Sequence, residues 1–215
     1  MAIYIKPMGG LGNQLFIWAL GLTVKQRVGA DKLVGLVRHF DTYPSHNYEL
    51  ASFNSGVVTL NHEEEFWSSR SNQRKRTRFL PPKQRTIRPS IDSAEASFLF
   101  DSRLLNSQDN TYLRGYFQSW KYFAEVGEEI KERVVKLSSP SKWYLETLDS
   151  LRTGPPWIAV HMRIGNYVSH PGMGVAGEKY YRRAFRLLEQ MGLAGMKIVV
   201  FSDSPEVAAG SSVFA

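Results

Sequence analysis

A chain of 215 residues that is 43% hydrophobic can bury a sizeable core, and its length falls between one large domain and two small ones. With no cysteine it forms neither a disulfide nor a thiolate zinc site, and its longest N-terminal apolar run, residues 15–22, is too short to span a bilayer. Nothing in it has the pattern of a secretory leader, so a soluble, cytoplasmic protein is expected. The net charge of +7 belongs to one stretch. Arg70, Arg74, Lys75, Arg76, Arg78, Lys83, Arg85 and Arg88 follow one another with no Asp or Glu between them, and without those eight the remaining 19 basic residues face 20 acidic ones. The stretch reads as a solvated loop, or as a contact for anionic lipid headgroups, pyrophosphate-linked substrates or nucleic acid. Nucleic acid is the least suited of these, because no interleaved aromatics on an RNA- or DNA-reading fold accompany the charge.

In chain order, residues 2–8 read as a short strand, Gly9-Gly10-Leu11-Gly12 as its turn, and residues 13–28 as a helix, which is an α/β opening. Residues 33–37 form a second predicted strand, whereas 40–66 are mixed and aromatic without a clear period. Beyond the basic stretch come a strand at 112–117 and helices at 121–137 and 141–151, the last with Ser141 as N-cap. Gly154-Pro155-Pro156 is the sharpest break in the sequence. After it the alternation restarts: a buried-type strand at 157–161, a glycine-rich loop, a helix at 177–191 and a strand at 197–202. The economical architecture is two Rossmann-like units, residues 1–140 and 141–215, with ligands at the C-terminal ends of their strands.

Four places carry chemistry. Gly9-Gly10-Leu11-Gly12-Asn13-Gln14 is either a tight turn or an anion cradle at a helix start. It is no P-loop, since no Gly-Lys-Ser/Thr follows, and Leu15 stands where a dinucleotide fingerprint needs its third glycine. The amides of Asn13 and Gln14 suit sugar hydroxyls or phosphate oxygens. His161 and Arg163, two apart at a strand exit, project to one side; Arg163 offers a planar, permanently charged fork for phosphate, while His161 alone also reads as a structural histidine. Ser202 and Asp203 end another strand, where Asp203 would either hold a nucleotide or cap a helix beginning at Pro205. In the aromatic exit Tyr116-Phe117-Gln118-Ser119-Trp120, Gln118 and Trp120 are candidates for a sugar site.

In this order the segments Gly9-Gly10-Leu11-Gly12-Asn13-Gln14-Leu15-Phe16, Tyr112 through Phe123, Val160-His161-Met162-Arg163 through Val168, Tyr180-Tyr181 and Val200-Phe201-Ser202-Asp203 resemble the short bacterial α-1,2-fucosyltransferases of glycosyltransferase family 11. The resemblance implies a GT-B-like fold whose N-terminal half serves the acceptor and whose C-terminal half holds the donor nucleotide. It implies GDP-fucose as donor, a galactoside glycan or lipid-linked oligosaccharide as acceptor, inversion at the anomeric carbon, and neither metal nor other cofactor. Arg163 and His161 then fall at the catalytic turn, Gly9, Gly10, Gly12, Asn13, Gln14, Arg163, Ser202 and Asp203 on the donor, and Gln118 and Trp120 on the acceptor side. A lipid-linked acceptor would bring the basic stretch to the inner membrane face. Two departures stand out. The family writes His-x-Arg-Arg-Gly-Asp where this chain has Ile164 and Asn166, and its members continue well past the Phe-Ser-Asp strand, whereas this chain ends twelve residues after Asp203. A C-terminally shortened second half is therefore expected, and the rival expectation is an inactive remnant that binds nucleotide or nothing.

Overall fold

The computed structural model describes residues 1–42, 46–60, 88–92, 99–165 and 174–214, the 88–92 strand by its backbone alone. The basic residues 70–87 and Asn166 lie outside the described residues. The chain divides into two compact units, Met1–Ser139 and Pro140–Ala215, each α/β.

Unit 1 is a five-stranded, all-parallel sheet in the order β3-β2-β1-β5-β4, with β1 at Ala2–Ile5, β2 at Lys32–Leu36, β3 at Val57–Leu60, β4 at Arg88–Asp92 and β5 at Thr111–Arg114. Parallel strands covered by a helix are buried on their faces and read as apolar runs, which is why Ile3, Ile5, Leu33, Leu36 and Leu113 lie inside. The covering helix, α1 (Leu11–Val28), has a wide apolar surface: Ile17, Trp18, Leu20, Leu22 and Val24 are all buried. Its approach to the sheet depends on glycine at position 21. A Cβ there would stand 2.7 Å from Ile5 Cγ2 and 2.9 Å from Leu33 Cδ1, closer than atoms tolerate. The Trp18 indole finds its required acceptor in the Ser55 carbonyl at 2.9 Å, so burial of the ring leaves no orphan N–H.

Several elements differ from the sequence expectation, among them β4, which begins at the last residue of the stretch read as a basic loop. The helix predicted over 121–137 is instead a pair of 3-10 turns, Trp120–Tyr122 and Ala124–Val126, followed by α3 at Gly127–Val135. Tyr122 and Val126 are drawn into the core, and the N–H groups of Tyr122, Phe123 and Val126 bond three residues back in place of four. The unread strand β3 is an edge strand whose residues Val58 and Thr59 are exposed, so burial imposes no alternation on it. The short helix α2, His39–Thr42, precedes it.

Unit 2 pairs two parallel strands, β6 (Trp157–Met162) and β7 (Lys197–Ser202), in register from Trp157↔Lys197 to Met162↔Ser202. Around them lie α4 (Lys142–Thr153), α5 (Glu178–Gln190) and α6 (Pro205–Ala209). Ser141 caps α4 as expected, its hydroxyl accepting from the Tyr144 N–H at 3.1 Å. Tyr181 is buried between β6 and the end of the described chain, where the Phe214 ring packs on it at 5.6 Å and on Phe185 at 6.1 Å. Among the described residues no helix is long and apolar enough to cross a membrane.

Candidate functional site

In an open parallel sheet, ligands settle beyond the C-terminal strand ends at the point where successive connections leave in opposite directions. In unit 1 the central neighbours β1 and β5 end side by side at this edge, while the chain reverses its direction across the sheet on passing from β3 to β4. The chain steps outward from β1 through β2 to β3, then returns to build β4 and β5 on the other side of β1. The sequence-predicted glycine turn and the Gln118 exit are the two segments that meet there.

Gly9 adopts φ +68°, and a Cβ on it would press to within 2.6 Å of Asn13 Nδ2, so the turn depends on glycine at this position. Gly10 is the N-cap of α1 and supplies no side-chain cap, which leaves first-turn N–H groups directed out of the turn. Across the gap Gln118 donates from Nε2 to Asn13 Oδ1 at 2.6 Å, joining the exits of β1 and β5. The chain reaches Gln118 through an uncommon backbone: Gly115 has φ +154°, and Phe117 has φ +49° with its ring only 2% exposed. A bulky residue in the left-handed region is strained, and packing of the Phe117 ring on Tyr122 holds it there. The predicted strand 112–117 ends at Arg114 for this reason. Gln118 is exposed, and Trp120 beside it is 66% exposed.

Gln14, which the sequence assigns to a donor, faces the other way. Its side chain is fully buried, donating from Nε2 to the carbonyls of Gly9 at 2.9 Å and Asn47 at 2.7 Å and accepting from the Glu49 N–H at 3.0 Å. Its amide is fully occupied in tying the 46–49 segment to the glycine turn, so Gln14 supports the turn from behind. That tie brings in a residue no motif had marked: the His46 ring presents Cε1 and Nδ1 at 3.9 Å from where a Gly10 Cβ would be. The signal available in the sequence was a glutamine immediately before the apolar run 15–22, a residue that must find hydrogen-bond partners when buried.

Unit 2 brings its candidates together at the matching end of β6 and β7. The Asp203 carboxylate accepts the Ile164 N–H at 2.9 Å and pairs with Arg163 Nε at 3.3 Å. The Ile164 N–H above all, and then the Arg163 charge, hold its carboxyl below the usual carboxylate range. Gly165 is needed for this packing, because a Cβ at that position would collide with the same carboxylate. Asp203 therefore does not cap the helix at Pro205, whose N-cap is Ser204, and its carboxylate braces the Arg163 turn from the neighbouring strand. Ser202 extends the brace, donating to the Met162 carbonyl at 2.7 Å and accepting the Ser204 N–H at 3.0 Å. The His161 side chain is exposed, while its carbonyl accepts the Tyr181 hydroxyl at 3.1 Å. Arg163 is about half exposed and thus held at the rim of β6.

Among the described residues no group of three or more His, Cys, Asp or Glu is placed to hold a metal ion. No family model, no curated protein and no solved structure matches the chain.

Proposed function

We propose that this chain is a GDP-fucose-dependent α-1,2-fucosyltransferase of glycosyltransferase family 11, built as two α/β halves in the GT-B manner. It would transfer L-fucose to the 2-hydroxyl of a galactose-containing glycan, free or lipid-linked, without a metal ion. The five ordered motif segments support this reading, and one observation carries it. Arg163 stands at the C-terminal end of a parallel strand with its Nε fixed by Asp203, a carboxylate that itself anchors the turn backbone. An arginine preset in this way stabilises charge that grows on a diphosphate as its bond to sugar breaks, and needs no reorganisation to do so.

In the reaction the acceptor oxygen bonds to the anomeric carbon of fucose from the face opposite the diphosphate, and the carbon–oxygen bond to GDP breaks with its electron pair on the phosphate. The glycine turn and the Asn13–Gln118 pair offer neutral hydrogen-bonding groups suited to sugar hydroxyls. Gln14, Ser202 and Asp203 act as positioning residues behind these surfaces. Ile164 in place of the family's second arginine leaves Arg163 as the cation of the motif. Calorimetric titration with GDP and GDP-fucose tests the reading. The wild type should bind both, and Arg163→Ala should bind roughly 10–100-fold more weakly, since hydrogen bonds between charged partners contribute about 1.5–3 kcal/mol. A folded wild type that binds neither would leave an inactive protein as the better account. Turnover with lactose and N-acetyllactosamine then addresses the acceptor.

A further inference from the structure

The proposed transfer needs a group that takes the acceptor proton, and the two motif segments of unit 1, residues 9–16 and 112–123, contain no Asp or Glu. We infer that His46 is that group, and that the acceptor sugar lies over the Gly9–Gly10 turn with its reacting hydroxyl against the imidazole. This rests on the fucosyltransferase reading and names the base for it.

The geometry is particular to this segment. The His46 ring edge lies over Gly10, at the C-terminal end of the central strand β1. The absence of a side chain at Gly10 leaves the space that a sugar would use. His46 is half-buried and makes no hydrogen bond among the described residues, so its ring is not occupied as a structural histidine would be. Its backbone is nevertheless fixed. The next residue's carbonyl and the Glu49 N–H are both held by buried Gln14. Tyr48 packs against the core beneath, and burial pushes its phenol up to about 12, so it does not compete for the proton at neutral pH. The facing 9–14 turn carries no titratable side chain, which leaves Glu49 as the other proton acceptor on the segment. On the far side, Asn13 and Gln118 form a neutral amide pair able to orient further hydroxyls. In the transfer the acceptor oxygen bonds to the anomeric carbon, the diphosphate leaves with the broken bond's electrons, and the hydroxyl proton moves to the imidazole and then to water.

The test measures transfer and GDP affinity on the full chain for His46→Ala, His46→Gln and Glu49→Gln. Removing a general base costs about 10²–10⁴-fold in rate. Both His46 variants should lose transfer on that scale while GDP affinity stays within about twofold of the wild type, and added imidazole should restore part of the rate to His46→Ala. Glu49→Gln should keep transfer within about threefold. His46→Gln preserves a hydrogen-bonding group of similar size, so it decides the matter if His46→Ala fails to fold. Transfer by His46→Gln within threefold of wild type, or its loss in Glu49→Gln alone, would overturn the assignment while leaving the fucosyltransferase reading intact. A wild type that neither binds GDP nor transfers fucose would overturn both.

Discussion

The two units hold their candidate turns by different physical means. In unit 1 fifteen buried hydrophobic residues form one cluster under the sheet's central strands, and the glycine turn rests on it through Gln14 and α1. In unit 2 only Tyr181 and Ala208 are buried hydrophobics among the described residues, while Trp143 and Met191 stay 72% and 62% exposed. There the Arg163 turn is tied by polar bonds from Asp203, Ser202 and Tyr181. A site on a packed core is rigid because displacing it opens cavities. A site tied by exposed polar bonds is cheaper to loosen and responds to solvent and pH.

The contrast can be broken most forcefully at Trp18. Trp18→Ala should destabilise unit 1 by about 3–5 kcal/mol, from lost burial and the cavity left behind. Amide exchange under denaturant would show protection falling in β1, β2 and β5 while β6 and β7 keep theirs, and an equal loss in all five strands would show that the units unfold together. A smaller effect is expected from Gln14→Ala, about 1–3 kcal/mol, since it strands the Gly9 and Asn47 carbonyls and the Glu49 N–H. Its larger consequence is local: the 46–49 segment should lose exchange protection ahead of the core, read from the Glu49 amide.

The gentlest probe is pH at Asp203. Its folded carboxyl titrates below the ordinary carboxylate value, so its contribution is fully present above that value and is lost as pH falls through the lower, folded one. The amide resonances of Ile164 and Gly165 should therefore move on acidification while those of the glycine turn in unit 1 stay fixed. Asp203→Asn should abolish that titration. A coincident shift at Gly9 and Gly10 would show that the two turns are not independent.

The strands that were legible in the sequence are apolar runs set off by turn signals, whether buried like β1, β2 and β5 or only partly covered like β6 and β7. Ile3, Ile5, Leu33 and Leu113 form apolar runs beside glycine punctuation, and β7 emerged at its observed bounds of Lys197–Ser202. Edge strand β3 was not legible because Val58 faces solvent, and the broken helix at 120–135 was not because core packing of Tyr122 overrode a continuous helical pattern. For the candidate site, the motif residues lie at strand ends, but the sequence did not show which way their side chains turn. Gln14 points inward and Asp203 points along the sheet to Arg163, and both orientations depend on partners 33 to 40 positions away that no local pattern announces.

The bond between Gln118 and Asn13 spans 105 residues of chain, and the pairing of β1 with β5 spans slightly more. Closing so long a loop is slow relative to forming α1 or the β1–β2 pair. During synthesis the glycine turn will thus exist well before the surface it completes. A nascent chain released anywhere short of residue 118 would carry the most recognisable motif of unit 1 and none of its assembled candidate site, which forms only when the β5 exit arrives as its second wall.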